Sequence, residues 1–124
     1  MSLPEHVRIV EVGPRDGLQN ETAEFDTATR LELIRRLMAC GFERIEAGAF
    51  VSPKWVPKMA DTEEIMAQFN ETEKEKLPVL VPNLRGLESA LASGTREVAI
   101  FASASEAFSN KNINCTIKQT LIII

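Results

Sequence analysis

The chain has 124 residues, of which 44% are hydrophobic and 26% charged, and its formal net charge is −4. These values are typical of one folded globular domain and exclude an intrinsically disordered chain. The basic residues are scattered, so no nucleic-acid-binding surface is expected. No apolar run approaches the ~20 residues of a membrane span, and the first residues form no signal or transit-peptide pattern, so a cytoplasmic protein is expected.

Four short apolar segments bounded by Gly, Pro or Asn predict buried strands. In chain order they are residues 7–12, 43–48, 77–81 and 96–103. Segments with helical periodicity alternate with them. This β-α-β-α-β-α-β-α order predicts a parallel sheet whose strands are joined by helical crossovers.

Each helical segment combines an apolar face with a capping signal. The candidate N-caps, in chain order, are Asp26 or Thr27, Asp61, Asn83 and Thr116. The apolar positions of the first three helices are Leu31, Ile34, Leu37 and Met38; Ile65, Met66 and Phe69; and Leu84, Leu87 and Leu91. Gly41 and Gly94 follow the first and third helices, where a glycine commonly ends a helix. The charge-rich run 70–78 predicts a solvated connection.

Two glutamates are predicted to lie on the face of the sheet that the helices do not cover. Side chains alternate along a strand, and the apolar faces should meet the helices, which leaves Glu11 and Glu46 on the opposite face. A buried charge is costly unless it is paired or bound. Arg15 and Arg44 are the candidate partners, and the cluster favours a functional site, with an interior salt-bridge cluster as the alternative.

Five stretches, in this order and spacing, resemble the 3-hydroxy-3-methylglutaryl-CoA lyases. They are VGPRDGLQNE, GAFVSPKWVPKMAD, PVLVPNLRG, EVAIFASASEAF and NKNINCT, and the resemblance runs from residue 5 to about residue 117. The RDG motif is shared by the whole DRE-TIM metallolyase superfamily, including its synthases and aldolases. FVSPKWVPKMAD and NKNINC are more particular to the lyases and favour them over those relatives.

The resemblance implies a fold and a reaction. The family fold is a TIM (β/α)8 barrel with its active site at the carboxyl ends of the strands. Residues 1–124 would then form the first half of such a barrel, about four β-α units truncated in the fourth helix. The implied reaction is metal-dependent cleavage of 3-hydroxy-3-methylglutaryl-CoA to acetyl-CoA and acetoacetate, in leucine degradation and ketone-body formation.

The resemblance also implies the residues of a site that takes an acyl-CoA substrate. Asp16 would be an oxygen ligand of a divalent cation, Mg²⁺ or Mn²⁺. Arg15 would bind substrate and stabilise the enolate that forms on the thioester, and Glu46 would orient Arg15 and substrate as a second catalytic residue. Gln19 and Asn112 would line the substrate site.

Other family groups have no counterpart in this sequence. The resemblance implies further metal ligands, a His-x-His pair and an asparagine, and a catalytic cysteine, whereas the single histidine here is His6. A chain without these groups is expected to be inactive when alone. The alternative is a non-catalytic half-barrel that binds a partner or self-associates through its open sheet edges.

Five more residues carry weaker expectations. Trp55 is predicted to anchor its loop by packing. Lys54 or Lys58 would approach coenzyme A phosphates, with plain solvent exposure as the alternative. Cys40 and Cys115 lack metal-ligand spacing and are predicted to be buried or half-buried small hydrophobes in a reducing compartment.

Overall fold

The structure, a computed structural model, describes residues 2–123. Strands β1 (Gly48–Ala49), β2 (Val79–Leu80) and β3 (Val98–Ala99) form a parallel sheet in the order β1-β2-β3. The helices are α1 (Leu18–Asn20), α2 (Thr27–Ala39), α3 (Thr62–Met66), α4 (Glu71–Lys74), α5 (Leu84–Ala92), α6 (Glu106–Ile113) and α7 (Ile117–Ile123). A π-helix (Gly13–Gly17) and a 3-10 helix (Pro57–Met59) complete these elements. The predicted parallel sheet with helical crossovers is confirmed.

The predicted first strand, residues 7–12, is wrong in length. Glu11 alone forms a parallel bridge, to Ile45. Its N–H donates to the carbonyl of Arg44 at 3.0 Å, and its carbonyl accepts from the N–H of Glu46 at 2.8 Å. The segment lies at the open edge of the sheet with its apolar side chains largely exposed, so little burial stabilises a regular strand there.

Strands β2 and β3 lie within their predicted segments but are shorter, whereas β1 begins only at the last residue of the predicted segment 43–48. Backbone hydrogen bonds from Ile45 to Lys76 and from Ala47 to Pro78, both 2.9 Å, extend the pairing of β1 with β2 toward their amino ends. Pro78 accepts such a bond but has no N–H to donate. The regular ladder therefore begins only after it.

Most of the predicted helix caps are confirmed. The side chain of Asp26 accepts from the N–H of Thr29 at 2.7 Å, and hydrogen bonding to Thr29 lowers the pKa of Asp26. Asn83 caps α5 in the same way, and Thr116 with Gln119 forms the predicted reciprocal pair before α7. Gly41 follows α2 with φ at 92°, a left-handed conformation that favours glycine.

Asp61 precedes α3, but its predicted capping role is wrong. Its side chain makes no hydrogen bond to the first turn of the helix. It accepts instead from the guanidinium of Arg30 and, at 2.9 Å, from the hydroxyl of Thr27. A tertiary ion pair has therefore overridden a local capping signal.

Three helices were not predicted, namely the short α1 after the Arg15 turn, α4 and α6. The run 70–78 is more than a solvated connection, because it contains α4, whose capping box joins Asn70 and Glu73 at 2.9 Å in both directions. Helix α6 begins after Ser105, whose hydroxyl accepts from the N–H of Phe108 at 3.1 Å. The Asn-x-x-Glu spacing at residues 70–73 was a readable signal for α4.

One hydrophobic core lies between the sheet and the helices. Its buried members are Ile34, Ile45, Ala47, Ile65, Met66, Phe69, Leu77, Val79, Val81 and Ala90. The predicted apolar faces of α2 and α3 are confirmed by their contributions to it. No helix among residues 2–123 is both long enough and apolar enough to cross a membrane.

The predicted apolar face of α5 is wrong in part. Leu84 and Leu91 are exposed, whereas Gly86 and Ala90 are buried. An added Cβ at Gly86 would lie 2.6 Å from the carbonyl oxygen of Phe50. Helix α5 therefore lies too close to the backbone at Phe50 for a large side chain to fit between them. Its small residues face inward instead of its leucines.

Gly86→Ala is expected to lower the free energy of unfolding by about 1–3 kcal/mol, because the new Cβ overpacks this contact. Gly17→Ala is the matched control, since an added Cβ there meets nothing within 4 Å. Urea denaturation followed by circular dichroism measures both variants. Equal stabilities would contradict the close approach of α5.

Candidate active site

The Arg-Asp pair lies in a tight turn at the carboxyl end of the first strand segment. In the π-helix Gly13–Gly17, the N–H groups of Arg15, Asp16 and Gly17 all donate to the carbonyl of Val12, at 3.1, 2.8 and 3.2 Å. π-helical turns occur frequently at functional sites. The shared acceptor fixes the backbone from which the two charged side chains project.

Arg15 bridges one buried and one exposed carboxylate. Its Nε donates to Oε1 of Glu46 at 2.5 Å, and its Nη1 donates to Oδ1 of Asp16 at 3.0 Å. The side chain of Glu46 is only 8% exposed, that of Arg15 16%, and that of Asp16 52%. The predicted pairing of Arg15 with Glu46 is confirmed.

The remaining terminal nitrogen of Arg15 is not committed to either carboxylate. Within residues 2–123, Nη2 donates no hydrogen bond, while Nε and Nη1 each have an acceptor. A guanidinium held at two nitrogens keeps a fixed orientation, and its other N–H groups retain their capacity to donate. The arrangement can therefore bind a negatively charged oxygen.

Arg44 and Glu11 were predicted to join this cluster, and the structure shows that they pair elsewhere. Arg44 Nε donates to Oε2 of Glu97 at 2.8 Å. Arg44 precedes β1 and Glu97 precedes β3, so this pair lies at the amino end of the sheet, away from Arg15. Oε1 of Glu11 accepts from the N–H of Gly13 at 2.6 Å, and Glu11 thereby holds the entry to the Arg15 turn.

Gln19 and Asn112 form no hydrogen bond with the charged cluster. Gln19 lies half-buried in α1, one turn beyond Arg15, and Asn112 lies exposed in α6. Neither side chain forms a hydrogen bond in the described part of the chain. Their role as substrate-lining residues stays a prediction.

The carboxylates do not by themselves fit a divalent-cation site. No group of three or more His, Cys, Asp or Glu side chains between residues 2 and 123 is arranged to hold a metal ion. Mg²⁺ requires about six oxygen ligands in near-octahedral geometry, and one oxygen of Asp16 already accepts from Arg15. Asp16 as a metal ligand therefore stays a prediction.

Arg30 supports the site from the helix side and was not predicted from sequence. It is 1% exposed and pairs with Asp61. Its guanidinium also donates to the carbonyls of Lys58, at 3.1 Å, and Ala47, at 3.3 Å. Because Ala47 follows Glu46 directly, Arg30, held by Asp61, fixes the segment before β1 that carries Glu46.

Burial lowers the pKa of Arg30 to about 10, so the guanidinium stays protonated at neutral pH. A sequence signal for its burial did exist. Arg30 lies four residues before Ile34, on the face of α2 that enters the core. An arginine in that position requires a buried acceptor, which Asp61 provides.

Several weaker expectations are wrong. Trp55 is 84% exposed and does not anchor its loop by packing. Cys40 is exposed, whereas Cys115 is half-buried as predicted. The ammonium of Lys58 donates to the carbonyl of Glu21, and the approach of Lys54 or Lys58 to coenzyme A phosphates stays a prediction.

The chain is similar to known proteins along nearly its whole length. Residues 6–123 match the HMGL-like family. A mitochondrial hydroxymethylglutaryl-CoA lyase of Arabidopsis thaliana is 54% identical over 120 residues, covering 97% of this chain and 26% of that protein. A 3-hydroxy-3-isohexenylglutaryl-CoA/hydroxymethylglutaryl-CoA lyase of Pseudomonas aeruginosa is 54% identical over 121 residues, covering 98% of this chain and 40% of that protein.

Solved structures agree with these relatives. The hydroxymethylglutaryl-CoA lyase of Pseudomonas aeruginosa superposes with a TM-score of 0.89 at 53% identity, over 99% of this chain and 41% of that one. An HMG-CoA lyase from Acinetobacter baumannii, in complex with coenzyme A and 3-methylmalate, superposes with a TM-score of 0.87 at 36% identity. The match covers 94% of this chain and 38% of that one. The chain thus spans well under half the length of these proteins, and the predicted partial TIM barrel is confirmed.

Asp61→Asn is expected to lower the free energy of unfolding by about 3–5 kcal/mol, because it leaves the charge of Arg30 buried without a counter-charge. Glu32→Gln is the control. It removes the exposed ion pair with Arg36 and is expected to cost less than about 1 kcal/mol. Urea denaturation measures both, and a small effect of Asp61→Asn would show that the buried pair does not hold this region.

Proposed function

The chain belongs to the HMGL-like family, and we propose that it provides the Arg15–Glu46 part of an active site that cleaves 3-hydroxy-3-methylglutaryl-CoA to acetyl-CoA and acetoacetate. Relatives named as hydroxymethylglutaryl-CoA lyases support the substrate and reaction. The observation that carries the proposal is the held guanidinium of Arg15 with its uncommitted Nη2.

The reaction requires a positive charge at a defined point. The tertiary hydroxyl of the substrate loses its proton and becomes the ketone of acetoacetate, while the adjacent carbon–carbon bond breaks. The electron pair of that bond moves onto the thioester, which becomes an enolate and then takes up a proton to give acetyl-CoA. A preorganised donor at the thioester oxygen stabilises the enolate, and one such donor typically contributes about 3–4 kcal/mol.

Arg15 is the proposed donor, and Glu46 orients it. With Nε held by Glu46 and Nη1 by Asp16, rotation of the guanidinium would break two charge-assisted hydrogen bonds. Nη2 therefore keeps its direction without further ordering when substrate binds. Glu46 is largely buried, so its charge is directed at Arg15 with little screening by water.

Asp16, Gln19 and Asn112 have proposed roles beside this pair. Asp16 would contribute one carboxylate oxygen to Mg²⁺ or Mn²⁺, and the remaining donors would have to come from elsewhere. Gln19 and Asn112 would offer amide groups to the polar end of the substrate. The assignment of residues 1–124 to a single partial-barrel domain is part of the same proposal.

The biological setting is also a proposal. Leucine degradation and ketone-body formation follow from the proposed reaction. A cytoplasmic location stays a prediction, since relatives carry the names of both a cytoplasmic form, from Rattus norvegicus, and mitochondrial forms.

A non-catalytic half-barrel that associates with another chain is the second candidate. Val7 and Ile9 are exposed beside the open edge at Glu11, and Ile100 is exposed beside the opposite edge. Apolar side chains beside unpaired strand edges favour association. No turnover is expected from the chain alone under either candidate, and sedimentation at several protein concentrations would detect the association.

The chain is expected to accelerate exchange of the methyl hydrogens of acetyl-CoA with D₂O, because deuteroxide from the solvent removes a methyl proton to give the same thioester enolate, which Arg15 stabilises and which then takes up a deuteron. Arg15→Gln should reduce the acceleration by about 10²–10³-fold. Proton NMR of the methyl signal measures it. The control, Arg36→Gln, removes an exposed arginine of α2 and should leave the exchange unchanged.

Measuring both the hydrogen exchange of acetyl-CoA and the cleavage of 3-hydroxy-3-methylglutaryl-CoA separates the two candidates. Acetyl-CoA release from 3-hydroxy-3-methylglutaryl-CoA, in the presence of Mg²⁺ or Mn²⁺ and sensitive to Arg15→Gln, supports the lyase. A folded chain that shows no Arg15-dependent exchange contradicts the proposed role of Arg15 and favours the half-barrel that only associates.

A further inference from the structure

The first segment of the chain forms one open edge of the sheet. Both main-chain groups of Glu11 bond to the segment before β1, so by alternation the N–H and carbonyl of Val10 point away from the sheet. Val7 and Ile9 are 75% and 67% exposed. They share a side of the strand with Glu11, whose bridge partner Ile45 lies in the core beneath the helices. This edge therefore offers unpaired backbone groups and apolar side chains on the helix side.

Strand β3 forms the other open edge and pairs only with β2 among residues 2–123. The carbonyls of Glu97 and Ala99 accept from the β2 segment at 3.3 and 2.9 Å. By alternation, the main-chain groups of Val98 and Ile100 point away from the sheet. A groove of about 230 Å³ lies beside them, between β3 and α5. Its apolar lining consists of Val81, Pro82, Leu84, Leu87, Val98 and Ile100.

The sheet between these edges is curved as half of a closed ring. The chain superposes on part of a lyase barrel with a TM-score of 0.89 over 99% of its length, and a TIM barrel has eight parallel strands. The ion pair of Arg44 with Glu97 joins the segment before β1 to β3 across β2, over about 10 Å in a flat sheet. The first segment, β1, β2 and β3 therefore supply four neighbouring strands of such a ring.

A second copy of this chain fits both open edges at once. A half-turn about the barrel axis places β3 of each copy beside the first segment of the other, with all strands parallel. Contacts between two different surfaces form a closed ring when the rotation closes, and here it closes at two copies because each contributes half of the strands. Val7 and Ile9 of one copy then lie toward the groove between β3 and α5 of the other.

We propose that two copies of this chain associate as a closed eight-stranded barrel, in which β3 of each copy pairs in parallel with the first segment of the other. The inference rests on the second candidate function, association with another chain, and names its partner and its surfaces. It does not require turnover. Because all strands run in the same direction, the Arg15 turns of both copies lie at the same end of the assembly.

Sedimentation tests the association. The chain is expected to form a dimer and no larger species as its concentration rises, because a closed ring has no free edge. Ile100→Lys should weaken dimerisation about tenfold or more, since it places a charge in the apolar contact at both edges of the ring. Trp55→Gln is the matched control. It changes another exposed apolar side chain, in the loop after the inner strand β1, and should leave the dimer unchanged.

Cysteine cross-linking tests the geometry on a background of Cys40→Ser and Cys115→Ser. An equimolar mixture of Ile9→Cys and Val98→Cys chains, treated with a short bis-maleimide, should yield a covalent dimer. Neither variant alone should do so, because the first segment of one copy meets β3 of the other and never a first segment. Cross-linking of Val98→Cys chains with one another would show that like edges meet and would overturn the proposal. Circular dichroism confirms that each variant is folded.

The possible failures can be told apart. A dimer that forms equally with Ile100→Lys and gives no cross-link in the mixture leaves the association standing and overturns this geometry. A chain that stays monomeric at every concentration overturns both the inference and the second candidate function. Neither result bears on Arg15-dependent exchange of acetyl-CoA, which tests the lyase proposal separately.

Discussion

The buried charge of Glu46 is the constraint from which the site follows. A carboxylate that is 8% exposed must be paired with a cation, and Arg15 supplies one at 2.5 Å. This pair joins the turn after the first strand segment to the strand that follows α2. It also sets the direction of the guanidinium, so that Nη2 is left for a ligand oxygen.

A second ion pair supports the same segment through its backbone. Arg30 reaches from α2 to Asp61, and it also donates to the carbonyl of Ala47, the residue after Glu46. The segment just before β1 is therefore held at Glu46 by Arg15 and at Ala47 by Arg30. Catalytic and binding groups require a rigid supporting shell, and these two pairs provide it for Glu46.

Local signals were predictable from sequence, and tertiary ones were not. The Asp26 cap and the buried position of Ile34 depend on residues a few positions apart, and the structure confirms both. The capping role assigned to Asp61 is wrong because a distant arginine takes its carboxylate. Leu84 is exposed because α5 presents Gly86, and not its leucines, to the backbone at Phe50. The helical pattern of apolar residues does not show this close approach. The Arg15–Glu46 pair was foreseeable because strand alternation and the cost of a buried charge limit its partners.

A crystal structure of the chain with glutaryl-CoA would test the role of Arg15 most directly, because this thioester lacks the tertiary hydroxyl and cannot be cleaved. The proposed function predicts the thioester oxygen within hydrogen-bonding distance of Nη2 of Arg15, with the contacts of Arg15 to Glu46 and Asp16 retained. A bound thioester whose carbonyl points away from Arg15, or an Arg15 that leaves Glu46 when the ligand binds, would contradict it.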